Sequence, residues 1–142
     1  MESKEKAIIS VQVKINAPIE MVWKLWTTPE DIVQWNNASD DWHTPRAEND
    51  LRTGGNFNYR MEAKDKSLGF DFGGVYEKVI INEQIEYIID DGRKVKIVFS
   101  TVDNKTEVIE VFEAESTHSI EMQRDGWQAI LDNFKKYTEV NQ

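Results

Sequence analysis

The feature that most constrains the fold is a long stretch in which hydrophobic residues recur at every second position. It begins near residue 42, and residues 57–62, FNYRME, show the alternation well. Such alternation is typical of strands with one buried face. Turn sequences at residues 53–55, 64–67, 82–83, 91–92 and 103–104 separate the runs. Because connections this short join antiparallel neighbours, the pattern predicts a meander of about six strands.

Other patterns flank this meander. Residues 7–15, AIISVQVKI, alternate and predict one more strand. Two short helices follow, the first opened by Pro18 and the second ending near Trp35, and a long amphipathic helix starts near Ser119. Helices set apart from an antiparallel sheet predict an α+β domain, with the last helix covering the apolar face of the sheet. The pair Gly73-Gly74 inside a strand suggests a β-bulge.

Length and charge limit the classes of function. A chain of 142 residues fits one domain, which we take to span residues 1–142. The net charge of −9 argues against nucleic acids and anionic membrane surfaces as partners. The chain has no cysteine, and its start has no signal-peptide pattern, so we expect a cytoplasmic protein without disulfides, most simply a monomer.

Recognisable catalytic and cofactor motifs are absent. The chain has no phosphate-binding loop, dinucleotide fingerprint or serine-nucleophile motif. Its two histidines, His43 and His118, lack the spacing of metal ligands. The sequence therefore predicts neither a cofactor nor a metal site. We expect the acidic segment at residues 40–43 to be a solvated loop.

The final helix combines a glycine with a tryptophan in RDGWQAILDNFKKY. A glycine inside a helix costs roughly 0.5–1 kcal/mol relative to alanine. Gly126 beside Trp127 therefore either allows close packing of helix on sheet or keeps the mouth of a pocket open. Gln123 and Leu131 fall on the same apolar stripe, where a buried amide needs partners.

Aromatic residues on the presumed inner face of the sheet favour a pocket. Aromatic walls with a few hydroxyl groups are typical of small-molecule sites. Trp35 and Trp42 lie in segments that can cover this face. The predicted ligand-binding residues are Trp35, Trp42, Phe57, Tyr59, Phe70, Phe72, Tyr87, Phe99, Gln123, Gly126, Trp127 and Leu131.

One acidic residue is a weak catalytic candidate. In TEVIEVFEAE, residues 106–115, one phase of alternation buries Glu110 and the other leaves it on the surface. If Glu110 points inward, burial raises its pKa, and the carboxyl group can bind a ligand hydroxyl or act as an acid. Both phases fit the sequence.

Several motifs resemble a known family in the order in which they occur. INAPIEMVWKLWTTPEDIVQW resembles the opening of the START-like (SRPBCC) superfamily. DLRTGGNFNYRM followed by GGVYEKV is similar to AHSA-type domains, those of the activator of the heat-shock-protein-90 ATPase. The ending FEAESTHSIEMQRDGWQAILDNFKKY resembles small single-domain bacterial members. The resemblance implies a helix-grip fold, in which a curved antiparallel sheet wraps a long C-terminal helix and often leaves an apolar cavity.

Three classes of function follow from this resemblance. The first is a carrier or sensor of a hydrophobic ligand, either lipid-like or aromatic and polyketide-like. The second is a cyclase or dehydratase that uses the same cavity, and the third is a chaperone- or protein-interaction module. The chaperone activators combine this domain with a separate N-terminal domain that the sequence does not contain. We therefore expect ligand binding rather than chaperone activation.

Overall fold

The fold places one curved sheet against a long helix. The computed structural model describes residues 7–141, and no helix among them is long and apolar enough to cross a membrane. The elements in chain order are β1 (Ile8–Ile15), α1 (Ile19–Thr27), α2 (Pro29–Trp35), β2 (Trp42–Asn49), β3 (Asn56–Ala63), β4 (Gly69–Ile80), β5 (Gln84–Ile89), β6 (Lys94–Val102), β7 (Lys105–Glu113) and α3 (Ile120–Val140). The order predicted from the sequence is confirmed.

All seven strands belong to a single antiparallel sheet. Its order is β1-β7-β6-β5-β4-β3-β2, so the meander runs from β2 to β7 and β1 pairs with β7 at one edge. Gly54, Gly92 and Asn104 adopt the positive φ angles that tight turns require. Together with α1, α2 and α3, the sheet forms the α+β helix-grip fold that the sequence predicts.

Helix α3 is fixed along both of its flanks. Its first turn is capped by Ser119, whose Oγ accepts a hydrogen bond of 3.0 Å from the Met122 amide. On one flank, Gln128 bonds to the backbone of Gln12 and thereby covers the free edge of β1. On the other flank, the Asn133 amide donates to the Trp35 carbonyl at 2.8 Å. The helix is therefore held at β1 and at α2.

The solid part of the core lies under α1, α2 and the C-terminal half of α3. Trp26 packs edge-on against Phe99 of β6 and Phe134 of α3, with ring centroids 5.9 and 4.8 Å apart. Phe134 also meets Trp35 at 4.8 Å, and it is fully buried. This close packing ends toward the N-terminal half of α3.

The predicted bulge at Gly73-Gly74 is wrong. The irregularity in β4 lies between Tyr76 and Lys78, where the register with β5 shifts. The glycines serve a different purpose, because a Cβ atom on Gly74 would lie 2.2 Å from the carbonyl oxygen of Ile88 and 3.0 Å from the Phe57 ring. They allow close approach of neighbouring strands and of an aromatic side chain.

Candidate functional site

A cavity of about 350 Å³ lies between the inner face of the sheet and the N-terminal half of α3. Its polar lining comes from a few residues described below. Nine of its nineteen lining residues are aromatic: Trp26, Trp35, Phe57, Tyr59, Phe70, Phe72, Tyr76, Tyr87 and Trp127.

The position of α3 explains why this space is open. The helix packs against β1, α1 and α2, on one side of the sheet. Trp127 reaches across from α3 and stacks on Phe112 of β7, with ring centroids 3.8 Å apart. It also meets Phe72 of β4 edge-on at 6.1 Å. One indole thus spans from β7 to β4, and the cavity lies beneath it.

Glu110 lies inside the cavity. Along β7, Thr106, Val108, Glu110 and Phe112 are all buried, so the inward phase of the alternation is the one that occurs. The side chain of Glu110 is 5% exposed, and no residue in 7–141 gives its carboxyl group a hydrogen bond or an ion pair. Burial raises the pKa of Glu110 to about 8. The group is therefore mostly a neutral acid at pH 7.

Three tyrosines share the interior with this acid. Burial raises the pKa of Tyr59 and of Tyr87, and the charge of Glu110 adds to both shifts. Glu110, Tyr59 and Tyr87 line the same cavity. Burial also raises the pKa of Tyr76, whose hydroxyl donates to Asn49 Oδ1 at 2.5 Å. All three phenols are consequently protonated at neutral pH.

Charged groups line the outer part of the cavity. The Arg93 Nε donates to both carboxylate oxygens of Asp91, at 3.1 and 2.9 Å. His118 Nδ1 lies 3.2 Å from Glu115 Oε1, and the Glu115 carboxyl group also accepts from the His118 backbone amide, which lowers the pKa of Glu115. Since His118 is exposed and Phe70 is 47% exposed, the cavity opens to solvent near these residues.

Gln123 lines the cavity, but its amide is already engaged. Its Oε1 accepts from the Glu115 backbone amide at 2.9 Å. Its Nε2 donates to the carbonyls of Glu115 and His118, at 3.1 and 2.9 Å. The side chain therefore ties the segment at residues 114–118 to the start of α3, and both of its N–H donors are in use.

The sequence between residues 16 and 139 matches the model of one protein family, described as "Activator of Hsp90 ATPase homolog 1-like protein". The chain belongs to this family. The resemblance seen in the sequence is thereby confirmed. No curated protein matches the chain.

Solved structures agree with this assignment. The chain is similar to the AHSA1-like protein from Aeromonas hydrophila, with 44% identity, 95% of this chain and 94% of that one covered, and a TM-score of 0.89. It is also similar to Chr148 from Cytophaga hutchinsonii, with 53% identity, coverage of 94% and 92%, and a TM-score of 0.82. CV1439 from Chromobacterium violaceum, at 21% identity, coverage of 93% and 96% and a TM-score of 0.83, shares the fold.

Eight of the twelve ligand-binding residues predicted from the sequence line the cavity. Those on its wall are Trp35, Phe57, Tyr59, Phe70, Phe72, Tyr87, Gln123 and Trp127. The structure does not place the other four there. Trp42 instead packs on the Phe70 ring at 5.9 Å, Phe99 packs on Trp23 at 5.2 Å in the solid core, and Leu131 is fully buried.

Gly126 borders the cavity without lining it. It lies one turn from Gln123 and one turn from Ile130, which are both on the wall. A Cβ atom added at Gly126 would meet no atom within 4 Å. The open space beside it means that close packing of helix on sheet does not require this glycine.

Sequence reasoning missed several residues of the wall. Tyr76, Ile85 and Ile97 lie at inward positions of their strands, so the same alternation that identified Phe57 could have found them. Arg93 precedes a strand in a turn, and His118 lies in the segment before α3. Neither has a periodic signal, so only the folded chain reveals its place at the mouth.

Proposed function

We propose that the chain binds a hydrophobic small molecule, lipid-like or aromatic, in this cavity and acts as its carrier or sensor. The observation that carries the proposal is the aromatic cavity of about 350 Å³. Ligand sites measure roughly 300–1,000 Å³, whereas protein interiors otherwise contain few voids larger than a water molecule. We also propose that it acts as a monomer in the cytoplasm, without nucleic acid or membrane insertion. The net charge of −9 supports the exclusion of nucleic acid and anionic membranes as partners.

The five tryptophans make a direct test possible. Trp26, Trp35 and Trp127 line the cavity, whereas Trp23 and Trp42 do not. Titration with 2-ethylnaphthalene, followed by NMR at the indole N–H signals, should shift the first three and leave the other two in place. Trp23 and Trp42 thus serve as internal controls. Unchanged signals at high micromolar probe, or equal shifts at all five indoles, would contradict the proposal.

Glu110 favours a second candidate, an enzyme of the cyclase or dehydratase type. A carboxylic acid with a pKa near the working pH is suited to general acid–base catalysis. Incubation with a β-hydroxy ketone of cavity size, followed by mass spectrometry for the loss of water, tests this candidate. Turnover that Glu110→Gln abolishes supports the enzyme. Binding without turnover leaves the carrier as the function.

A further inference from the structure

We infer that the cavity selects a neutral ligand carrying a carbonyl or similar acceptor oxygen, and that Glu110 and Tyr87 hold this oxygen by donating hydrogen bonds to it. The inference rests on the proposed function, because it assigns the polar end of the same hydrophobic ligand. It follows from two side chains on the cavity wall whose polar atoms face the cavity and have no hydrogen-bond partner among residues 7–141.

The first of these groups is the carboxyl of Glu110. It is 5% exposed, and no residue in the described range 7–141 bonds to it. Its oxygens face the cavity and are accessible from it, so a bound ligand can reach them. A ligand oxygen in the cavity would supply the missing partner.

The second group is the hydroxyl of Tyr87. It differs from the Tyr76 hydroxyl, which donates to Asn49. The Tyr87 side chain is 7% exposed, and within residues 7–141 its hydroxyl has no hydrogen-bond partner. It is thus a second free donor in the same space.

Strand register places the two groups on the same face of the sheet, with β6 between them. Glu110 lies opposite Ile97, while Tyr87 lies opposite Val95, two residues away on the same strand. Phe112 is also opposite Val95, so Tyr87 belongs to the row next to that of Glu110 on the inner face. Because β6 lies between β5 and β7, the two Cα atoms are about 10 Å apart across the sheet and about 7 Å apart along it, which makes about 12 Å in all. A tyrosine and a glutamate side chain that extend toward each other cover most of this distance, so one ligand oxygen between them can meet both donors.

The charges around Glu110 indicate which ligand chemistry fits. The titratable groups that line the cavity with it are Tyr59 of β3, Tyr76 of β4, Tyr87 of β5, Arg93 before β6, and the Glu115–His118 pair at the mouth. The helices contribute tryptophans, Ile130 and amide side chains. The interior thus offers neutral hydrogen-bond donors. The cation of the cavity wall is Arg93, which is already paired with Asp91. An acceptor oxygen complements this arrangement better than an ammonium group does.

The pH dependence follows with a definite sign. Below about pH 7 the Glu110 carboxyl is protonated and donates, because burial raises its pKa to about 8. Above that pKa it becomes a carboxylate that repels the ligand oxygen. We expect affinity for a ketone to fall by about tenfold between pH 7 and pH 9. An amine would show the opposite trend, because it pairs with the carboxylate.

Three probes of one shape test the inference: 2-acetylnaphthalene, 2-ethylnaphthalene and 1-(2-naphthyl)ethylamine. Dissociation constants from fluorescence titration are compared for the wild type, Glu110→Met and Tyr87→Phe. The ratio of ketone to hydrocarbon affinity should fall about tenfold in Glu110→Met and about 2- to 10-fold in Tyr87→Phe, as expected for lost hydrogen bonds.

Two further variants serve as controls for this test. Glu110→Gln keeps a donor of equal size, so it should bind the ketone with no change between pH 6 and pH 9. Glu107→Gln makes the same charge change on the opposite face of β7 and should leave ratio and pH profile as in the wild type. Circular dichroism melts confirm that each variant is folded at the assay temperature.

The outcomes separate the inference from the proposed function. If 2-ethylnaphthalene binds but the ketone-to-hydrocarbon ratio is unchanged in Glu110→Met and Tyr87→Phe, the inference is wrong and the carrier proposal stands. If the amine binds best and tightens above pH 8, the site recognises a cation and the inference is equally wrong. If no probe binds, both fail.

Discussion

Trp127 of α3 and Phe112 of β7 lie face to face, with ring centroids 3.8 Å apart and planes inclined by 12°. This stack brings the N-terminal half of α3 onto the sheet at β7. Residues farther along the sheet, such as Phe57 of β3, then face the cavity instead of the helix. The stack therefore forms one wall of the candidate site, and the position of its neighbour Gly126 can be tested directly.

Gly126→Leu should remain folded and lose ligand. An added side chain enters open space, because a Cβ atom there meets no atom within 4 Å. Leucine also has higher helix propensity than glycine, by roughly 0.5–1 kcal/mol. We expect an unchanged or higher melting temperature together with weaker binding of 2-ethylnaphthalene.

Gly126→Ala is the matched control for obstruction. It brings the gain in helix propensity without the reach of leucine, so binding should stay at the wild-type level. A fall of several degrees in the melting temperature of Gly126→Leu would show that the glycine serves close packing after all, since overpacking costs roughly 1–3 kcal/mol.

Gln123→Met should destabilise the segment before α3. Methionine has a similar length but cannot make the three hydrogen bonds to Glu115 and His118. The loss of these bonds at a buried site should cost about 2 kcal/mol. Hydrogen exchange at the Glu115 amide should accelerate, while exchange at the Phe134 amide in the middle of α3 should change only by the global loss of stability.

The result for Gln123→Met also separates two roles of this residue. If stability and exchange are unchanged but a polar probe binds more weakly, Gln123 acts on the ligand, as its place on the apolar stripe first suggested. The structure favours the structural role, because both N–H donors of the amide are already occupied.

Much of this architecture was predictable from local patterns. The element order follows from periodicity and from signals such as Ser119, which caps α3 at the residue where the sequence predicts its start. Inward positions such as Phe57 and Tyr87 follow from alternation of period two. These features depend on residues near in sequence, and a single chain reveals them.

What the sequence left open depends on contacts between distant segments. The phase of β7 was ambiguous, because the buried face is the one on which α3 packs, through Trp127 on Phe112, and the sequence of β7 alone does not reveal it. Phe99 has the same alternation as Tyr87, yet α1 covers it through Trp23. Only the placement of the helices distinguishes a core aromatic residue from one on the cavity wall.

Glu110→Gln should change how stability depends on pH. The pKa of Glu110 rises from 4.5 to about 8 on folding, so the native state keeps a proton that the unfolded chain releases between these values. Stability therefore falls as pH rises from about 5 to 8, by about 3 kcal/mol from this group. Glu110→Gln lacks this loss and should be more stable than the wild type at pH 8 and nearly equal to it at pH 4.

Urea denaturation at pH 4, 6 and 8 measures this difference, with Glu107→Gln as the control for a change of surface charge on the same strand. Parallel pH profiles for the wild type and Glu110→Gln would mean that the carboxyl group is ionised in the folded protein, paired with a group or solvent that stabilises its charge.

Two buried threonines should respond to the same substitution with opposite signs. Thr138 of α3 is fully buried, and its Oγ1 has no hydrogen-bond partner among residues 7–141, so Thr138→Val should raise the free energy of unfolding by about 1 kcal/mol. Thr106 of β7 is equally buried, but its Oγ1 donates to the Ala17 carbonyl at 2.7 Å, so Thr106→Val should lower it by about 1–3 kcal/mol. Urea denaturation measures both changes in the free energy of unfolding, provided that each variant has the same m-value as the wild type. Valine matches threonine in shape and, within helices, in propensity, so the sign reports the hydroxyl alone. A destabilised Thr138→Val variant would show that this hydroxyl is hydrogen-bonded in solution.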